Sequence, residues 1–117
     1  MDHTLCHFEI PADDLESLAA FYRDLFGWKI EPMGGFEGYL GITTGPEPAV
    51  GGGMMARQHP MQGIINYILV EDVAAYAEKA QSLGAQVLVP KTEIPHMGWF
   101  AVIMDPQRNC IGLFETA

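Results

Sequence analysis

One pattern is written twice in this 117-residue chain and limits what it can fold into. Leu5 to Ile10 alternates, with His7 and Glu9 on one side of a strand and Cys6, Phe8 and Ile10 on the other. Pro11 is expected to end that strand. Asp13, three residues before Glu16, reads as a helix N-cap with its capping-box partner. Leu15, Leu18, Ala19, Tyr22, Leu25 and Phe26 then form one apolar helix stripe, and Gly27 supplies the stop. Strands are expected at 28–32, 38–43 and 50–57. After a connection at 60–63 the pattern restarts with a strand at 64–70 and a cap at Glu71 or Asp72. Val73, Tyr76, Ala77, Ala80 and Leu83 make the second stripe, Gly84 ends it, and strands are expected at 86–89, 99–104 and 110–114. Asp14 to Leu25 spans eleven steps, as does Asp72 to Leu83. Either half alone has too little core to be stable, so a repeat of this size implies a shared one. The expectation is an α+β fold, a single domain of two βαβββ modules (residues 1–58 and 62–117). Their curled sheets would enclose a shared cleft, the kind of concave place where small molecules bind.

Charge narrows the partners. Six Lys and Arg against fifteen Asp and Glu leave a net charge of −9. A nucleic-acid partner needs a basic face to neutralise phosphates, and an anionic membrane surface needs the same; neither is expected. No apolar run is long enough to cross a bilayer. The Met1-Asp2-His3 start lacks the basic and apolar regions of a leader, which points to a cytoplasmic protein. Cys6 and Cys110 have neither zinc-finger nor CxxC spacing and read as inert thiols.

His7 and Glu9 share a strand face, so both can project into the cleft as a catalytic acid–base pair; the plainer reading is a half-buried strand histidine beside a rim carboxylate. His3, His59 and His96 are placed at a terminus and in loops, and His96 is the one singled out as a ligand contact. Tyr39, Met54, Tyr67 and Trp99 are the apolar and aromatic candidates for lining a pocket. Gly51-Gly52-Gly53 would let a ligand or a backbone approach closely, but it lacks the strand–GxxxxGK–helix setting of a phosphate loop.

The segments HFEIPADDLESLAAFYRDLFGWKIE (7–31), NYILVEDVAAYAEKAQSLGAQVLVPKTEIPHMGWFAVIMDP (66–106) and NCIGLFE (109–115) resemble the vicinal oxygen chelate superfamily. That superfamily includes glyoxalases, bleomycin-resistance proteins and extradiol dioxygenases, and the likeness is nearest to its small two-module, glyoxalase-related bacterial members. Metal-using members take one ligand from the first and last strand of each module. The resemblance maps the first of these onto His7. The others fall on Ile65, on the stretch Gly51 to Met55, and on Gly112, where the family carries a glutamate. None of those side chains ligates, and Glu115, three residues beyond Gly112, belongs to the opposite strand face.

Three functions compete on this basis. The first is a small-molecule-binding protein of glyoxalase-like descent with no cofactor, holding His7 and Glu9 at the floor of an apolar cleft. The second is a metal-dependent lyase or dioxygenase that rebuilds a Ni, Zn, Mn or Fe site around His7 with His59 or His96. The third is a drug-binding module of the bleomycin-resistance kind. The resemblance favours the first, and it also implies a homodimer.

Overall fold

A computed structural model describes residues 2–117. The element order is β1 (Leu5–Ala12), α1 (Leu15–Phe26), β2 (Lys29–Pro32), β3 (Tyr39–Thr43) and β4 (Gly52–Ala56). It continues with β5 (Ile65–Leu69), α2 (Val73–Ser82), β6 (Gln86–Ile94), β7 (Gly98–Met104) and β8 (Cys110–Thr116). The doubled βαβββ pattern is therefore present, and the fold is α+β. Two compact units divide the chain: His7–Ile64, and residues 2–6 together with Ile65–Ala117. No helix among the described residues is long and apolar enough to cross a membrane.

In the unit His7–Ile64 the strand order is β2-β3-β4-β1. Hairpin pairings are antiparallel, while β1 runs parallel to β4. Contrary to the expectation from Pro11, β1 continues to Ala12. The amide of Phe8 donates to Gly51 O and that of Arg57 donates to Ala12 O, so even-numbered residues of β1 bond to β4. Pro11 lies on the odd parity, and its missing N–H costs that ladder nothing. Asp14, not Asp13, caps α1: its Oδ1 accepts from Ser17 N at 3.0 Å, and Gly27 closes the helix in the left-handed region at φ 71°. Asp13 instead meets Arg57 Nε at 2.8 Å. The helix lies on Phe8, Ile10, Leu40, Ile42 and the fully buried Met54. Its apolar stripe is covered at Leu15, Leu18, Ala19 and Tyr22 but not at its end, since Leu25 and Phe26 are each 57 % exposed.

The unit that ends the chain has the order β5-β8-β7-β6, with β5 and β8 parallel. Thr4 O accepts from Leu69 N, which seats the start of β1 beside β5. Asp72 caps α2 by accepting from Ala75 N at 3.0 Å. Glu115 Oε1 accepts from Val73 N at 2.9 Å, so this carboxylate satisfies a second open amide of the helix. Its position opposite Gly112 in strand parity puts it on the helix side. Val73 and Ala77 of α2 pack on Val70, Ala101 and Leu113, with Ile68, Val87 and Ile103 around them. Leu83 ends exposed rather than packed. Strand β6 is longer than its sequence suggests, reaching Ile94 through Pro90 by means of register irregularities between Val87 and Thr92.

Candidate functional site

Each sheet has a helix side and an open side, and parity assigns every strand residue to one of them. In the unit His7–Ile64 the open side carries His7, Glu9, Tyr39, Gly41, Gly53 and Met55. Glu9 is in register with Gly53, and Gly53 with Gly41. Tyr39 stands one pair further along β3, opposite Met55, and its ring leans diagonally across the strand. A Cβ built at Gly53 would fall inside the Tyr39 hydroxyl and ring. The absence of that one carbon is what lets the phenol reach β1.

There the phenol meets both ionisable groups. Tyr39 Oη lies 2.8 Å from His7 Nε2 and donates to Glu9 Oε2 at 2.9 Å. A phenol has one proton. With that proton on the Glu9 bond, His7 Nε2–H must donate to Tyr39 Oη, and the neutral ring keeps its lone pair on Nδ1. The result is an ordered chain of bonds, His7 to Tyr39 to Glu9, with the rings of His7 and Tyr39 only 12° from parallel. Burial pushes the His7 pKa below its ordinary 6.5, and the Glu9 charge pulls it partly back up. The imidazole is thus held neutral, as a base must be before it takes a proton.

That depression has a consequence for stability. The contribution of the neutral ring is fully present above pH 6.5, and it is lost as pH falls through 6.5 toward the lower folded value, because the unfolded chain takes the proton first. His7→Asn, which cannot titrate, is expected to flatten this acid limb. Thermal melts of both proteins at about pH 7.5 and about pH 5.5 read it: the wild type loses more stability on acidification than the variant.

The run of glycines has one further task. A Cβ at Gly52 would sit 2.6 Å from the Phe8 ring and from Phe8 O, so Gly52 admits the Phe8 ring on the helix side. The close approach expected at these glycines is made by the chain's own side chains, Phe8 on one face and Tyr39 on the other. The other unit repeats the device. Tyr67 is in register with Gly112, and a Cβ at Gly112 would fall inside the Tyr67 ring. Counting from the helix caps, Glu9 and Tyr67 are equivalent, and so are their register partners Gly53 and Gly112. The open side here also carries Phe100, edge-on to Tyr67 at 6.4 Å.

The remaining candidates lie elsewhere. Met54 is buried on the helix side of β4, one residue out of phase with the open face. Trp99 shares the face of Ala101 and Ile103, as its spacing predicts. That face is turned to α2, where the Trp99 ring receives Lys91 Nζ at 4.9 Å. Phe100, not Trp99, is the aromatic of β7 on the open side. His96 is exposed in the β6–β7 turn at φ 68°. His59 is exposed in the β4–β5 connection, where its Nδ1 accepts from Met61 N, and His3 Nε2 lies 2.8 Å from Tyr76 Oη. The Cys6 thiol points at Tyr67 O at 3.6 Å, with its pKa raised by burial. Sequence spacing brought His7 and Glu9 together. It named Tyr39 without joining it to them, and three successive glycines were the available signal for that crossing.

These residues do not fit the four-ligand metal set that the family resemblance implies. Two of its strand positions are glycines with tyrosine rings where ligand side chains would emerge, and a third is Ile65. Among the described residues no three His, Cys, Asp or Glu side chains gather where they could hold an ion.

Comparison with known proteins agrees with the fold. Residues 4–45 match the family described as bleomycin resistance protein-like N-terminal. The "Putative glyoxylase CFP32" of Mycobacterium bovis is 34 % identical over 120 residues, covering 97 % of this chain and 44 % of that protein. The chain therefore spans less than half the length of that relative. A "Glyoxylase-like domain-containing protein" of Didymella fabae is 32 % identical over 108 residues, covering 86 % of this chain and 84 % of its own. Among solved structures, methylmalonyl-CoA epimerase from Mycobacterium tuberculosis superposes with a TM-score of 0.67 at 18 % identity. That match covers 97 % of this chain and 87 % of the epimerase chain. The Didymella fabae relative, matched over most of both chains, together with the doubled βαβββ architecture places the chain among the glyoxalase-like members of the vicinal oxygen chelate superfamily.

Proposed function

We propose that this chain is a small-molecule-binding domain of glyoxalase-like descent that handles the polar end of its ligand with His7, Tyr39 and Glu9 instead of a chelated ion. The observation that carries this reading is the Tyr39 hydroxyl, held between His7 Nε2 and Glu9 Oε2 at hydrogen-bond distance. A proton arriving at His7 Nδ1 can be matched by release of the Nε2 proton to Tyr39 and of the phenol proton to Glu9. No atom moves by more than the length of a hydrogen bond. The Met55 thioether, on the same open face opposite Tyr39, supplies apolar contact for the rest of the ligand. A ligand with a carbonyl or hydroxyl oxygen is the chemical match for such a network, and the acid–base competence makes proton transfer its natural reaction.

The test is metal content of the purified chain by mass spectrometry, followed by titration with Ni(II), Zn(II), Mn(II) and Fe(II). The expected result is no stoichiometric metal and no saturable uptake. Near-stoichiometric binding that His7→Ala abolishes would overturn the reading and return the chain to the metal-dependent lyases and dioxygenases.

A further inference from the structure

Gly41 and Gly53 stand in register on β3 and β4, and each is covered by a side chain from one pair further along the neighbouring segment. Tyr39 leans from β3 over Gly53, which carries its hydroxyl above β4. Met33, just past the end of β2, repeats the move one strand earlier. Its amide donates to Tyr39 O at 3.3 Å, and its side chain lies over Gly41, with Cγ 3.1 Å and Sδ 3.5 Å from the place of a Cβ there. The Tyr39 ring therefore runs along a diagonal of the open face. That diagonal leaves two corners beside it, one held by Met55 on β4 and one at Gly41 on β3, filled by Met33. We propose that Met33 is a specificity-determining residue, setting the size of the group that a ligand carries beside the oxygen bonded to Tyr39. The inference rests on the proposed function, because it needs a ligand oxygen at Tyr39 Oη.

Geometry singles out this position. Neighbouring strands lie about 4.8 Å apart, so an oxygen bonded to Oη above Gly53 has its first substituent carbons within reach of the Gly41 corner. Gly41 presents no side chain there, and the substituent meets the Met33 Cγ and Sδ instead. The corner is not resized at Gly41 itself, since a methyl on that residue would stand 3.1 Å from Met33 Cγ, tighter than ordinary van der Waals contact. Residue 33 lies outside the strands, so its side chain can change without entering the β3–β4 ladder. An unbranched thioether is also a wall that adapts to what rests on it.

Butan-2-one, hexan-2-one and octan-2-one share one carbonyl and differ in chain length, and chemical-shift titration of the isotope-labelled protein reads weak binding of each. The amides of Gly41 and Gly53 are expected to lead the shifts. Met33→Ala frees room for two or three methylenes, each worth roughly fourfold in affinity when buried, so the preference for octan-2-one over butan-2-one should rise roughly tenfold. Met33→Phe should move that ratio the opposite way. Butan-2-one itself should bind all three proteins alike, and Met61→Ala, at a side chain 85 % exposed, should leave the ratio unchanged. Met33 is half-buried, and circular dichroism checks that its variants are folded. A ratio that stays fixed in Met33→Ala, that moves the same way in Met33→Phe, or that moves equally in Met61→Ala overturns this inference and leaves the proposed function standing. Absence of saturable binding of every ketone to every protein overturns both.

Discussion

Gly53→Ala is expected to destabilise the protein by about 1–3 kcal/mol, the range for forcing an extra carbon into a filled interior. The added methyl would coincide with the Tyr39 hydroxyl, so the phenol must leave its place over β4. With it go its bonds to His7 and Glu9. Chemical denaturation reads the loss as a lowered midpoint at unchanged slope. Two companions make the result specific. Gly34→Ala, at a glycine where a Cβ meets nothing within 4 Å and φ is not positive, should stay within about 0.5 kcal/mol of wild type. In a Tyr39→Ala background the same Gly53→Ala change should cost little, because the atoms it displaces are gone. A strongly negative coupling in that double-mutant cycle is the expected signature. Equal losses with and without Tyr39 would mean that Gly53 serves the backbone rather than the phenol.

Local signals in the sequence are legible where the physics is local, apart from the choice of Asp13 over Asp14 as the cap of α1. Alternation at Leu5 to Ile10 put His7 and Glu9 on one face, and they are there. Helix stripes, the aspartate caps and Gly27 located both helices within a residue or two, since capping depends on neighbours three positions away. The misplaced features depend on partners distant in the chain. Pro11 ends a strand only if its missing N–H points at the ladder, and that parity is set by β4. Leu25, Phe26 and Leu83 continue their stripes by spacing, yet each is left more than half exposed. Trp99 was grouped correctly with Ala101 and Ile103, but which face of β7 meets α2 is decided by the packing of Leu113 and Val73. The bond from Tyr39 to His7 and Glu9 joins residues some thirty positions apart. It requires a missing side chain at a third position, which no periodicity reports.

Gly112→Glu would put back the carboxylate that the family resemblance expects in β8, and it is expected to unsettle the chain rather than create an ion site. Gly112 is buried, and its Cβ direction runs into the Tyr67 ring, itself 7 % exposed. The substitution combines overpacking with enclosure of a charge, and together these should cost on the order of 3 kcal/mol or more. Gly112→Ala isolates the steric part and should fall between the variant and wild type. Removing the ring in Gly112→Glu with Tyr67→Ala relieves the collision, so the double variant is expected to recover stability relative to Gly112→Glu alone, although Tyr67→Ala by itself is destabilising. Denaturation midpoints of the four proteins, with and without added Zn(II) or Ni(II), complete the test. A Gly112→Glu protein as stable as wild type that gains stability from the metal would show that the ring is a movable occupant of a retained ligand position. The register of Tyr67 with Gly112, matched by that of Glu9 with Gly53 under Tyr39, argues the other way: in each unit a tyrosine is packed into the space a last-strand side chain would need, and restoring that side chain means evicting the ring.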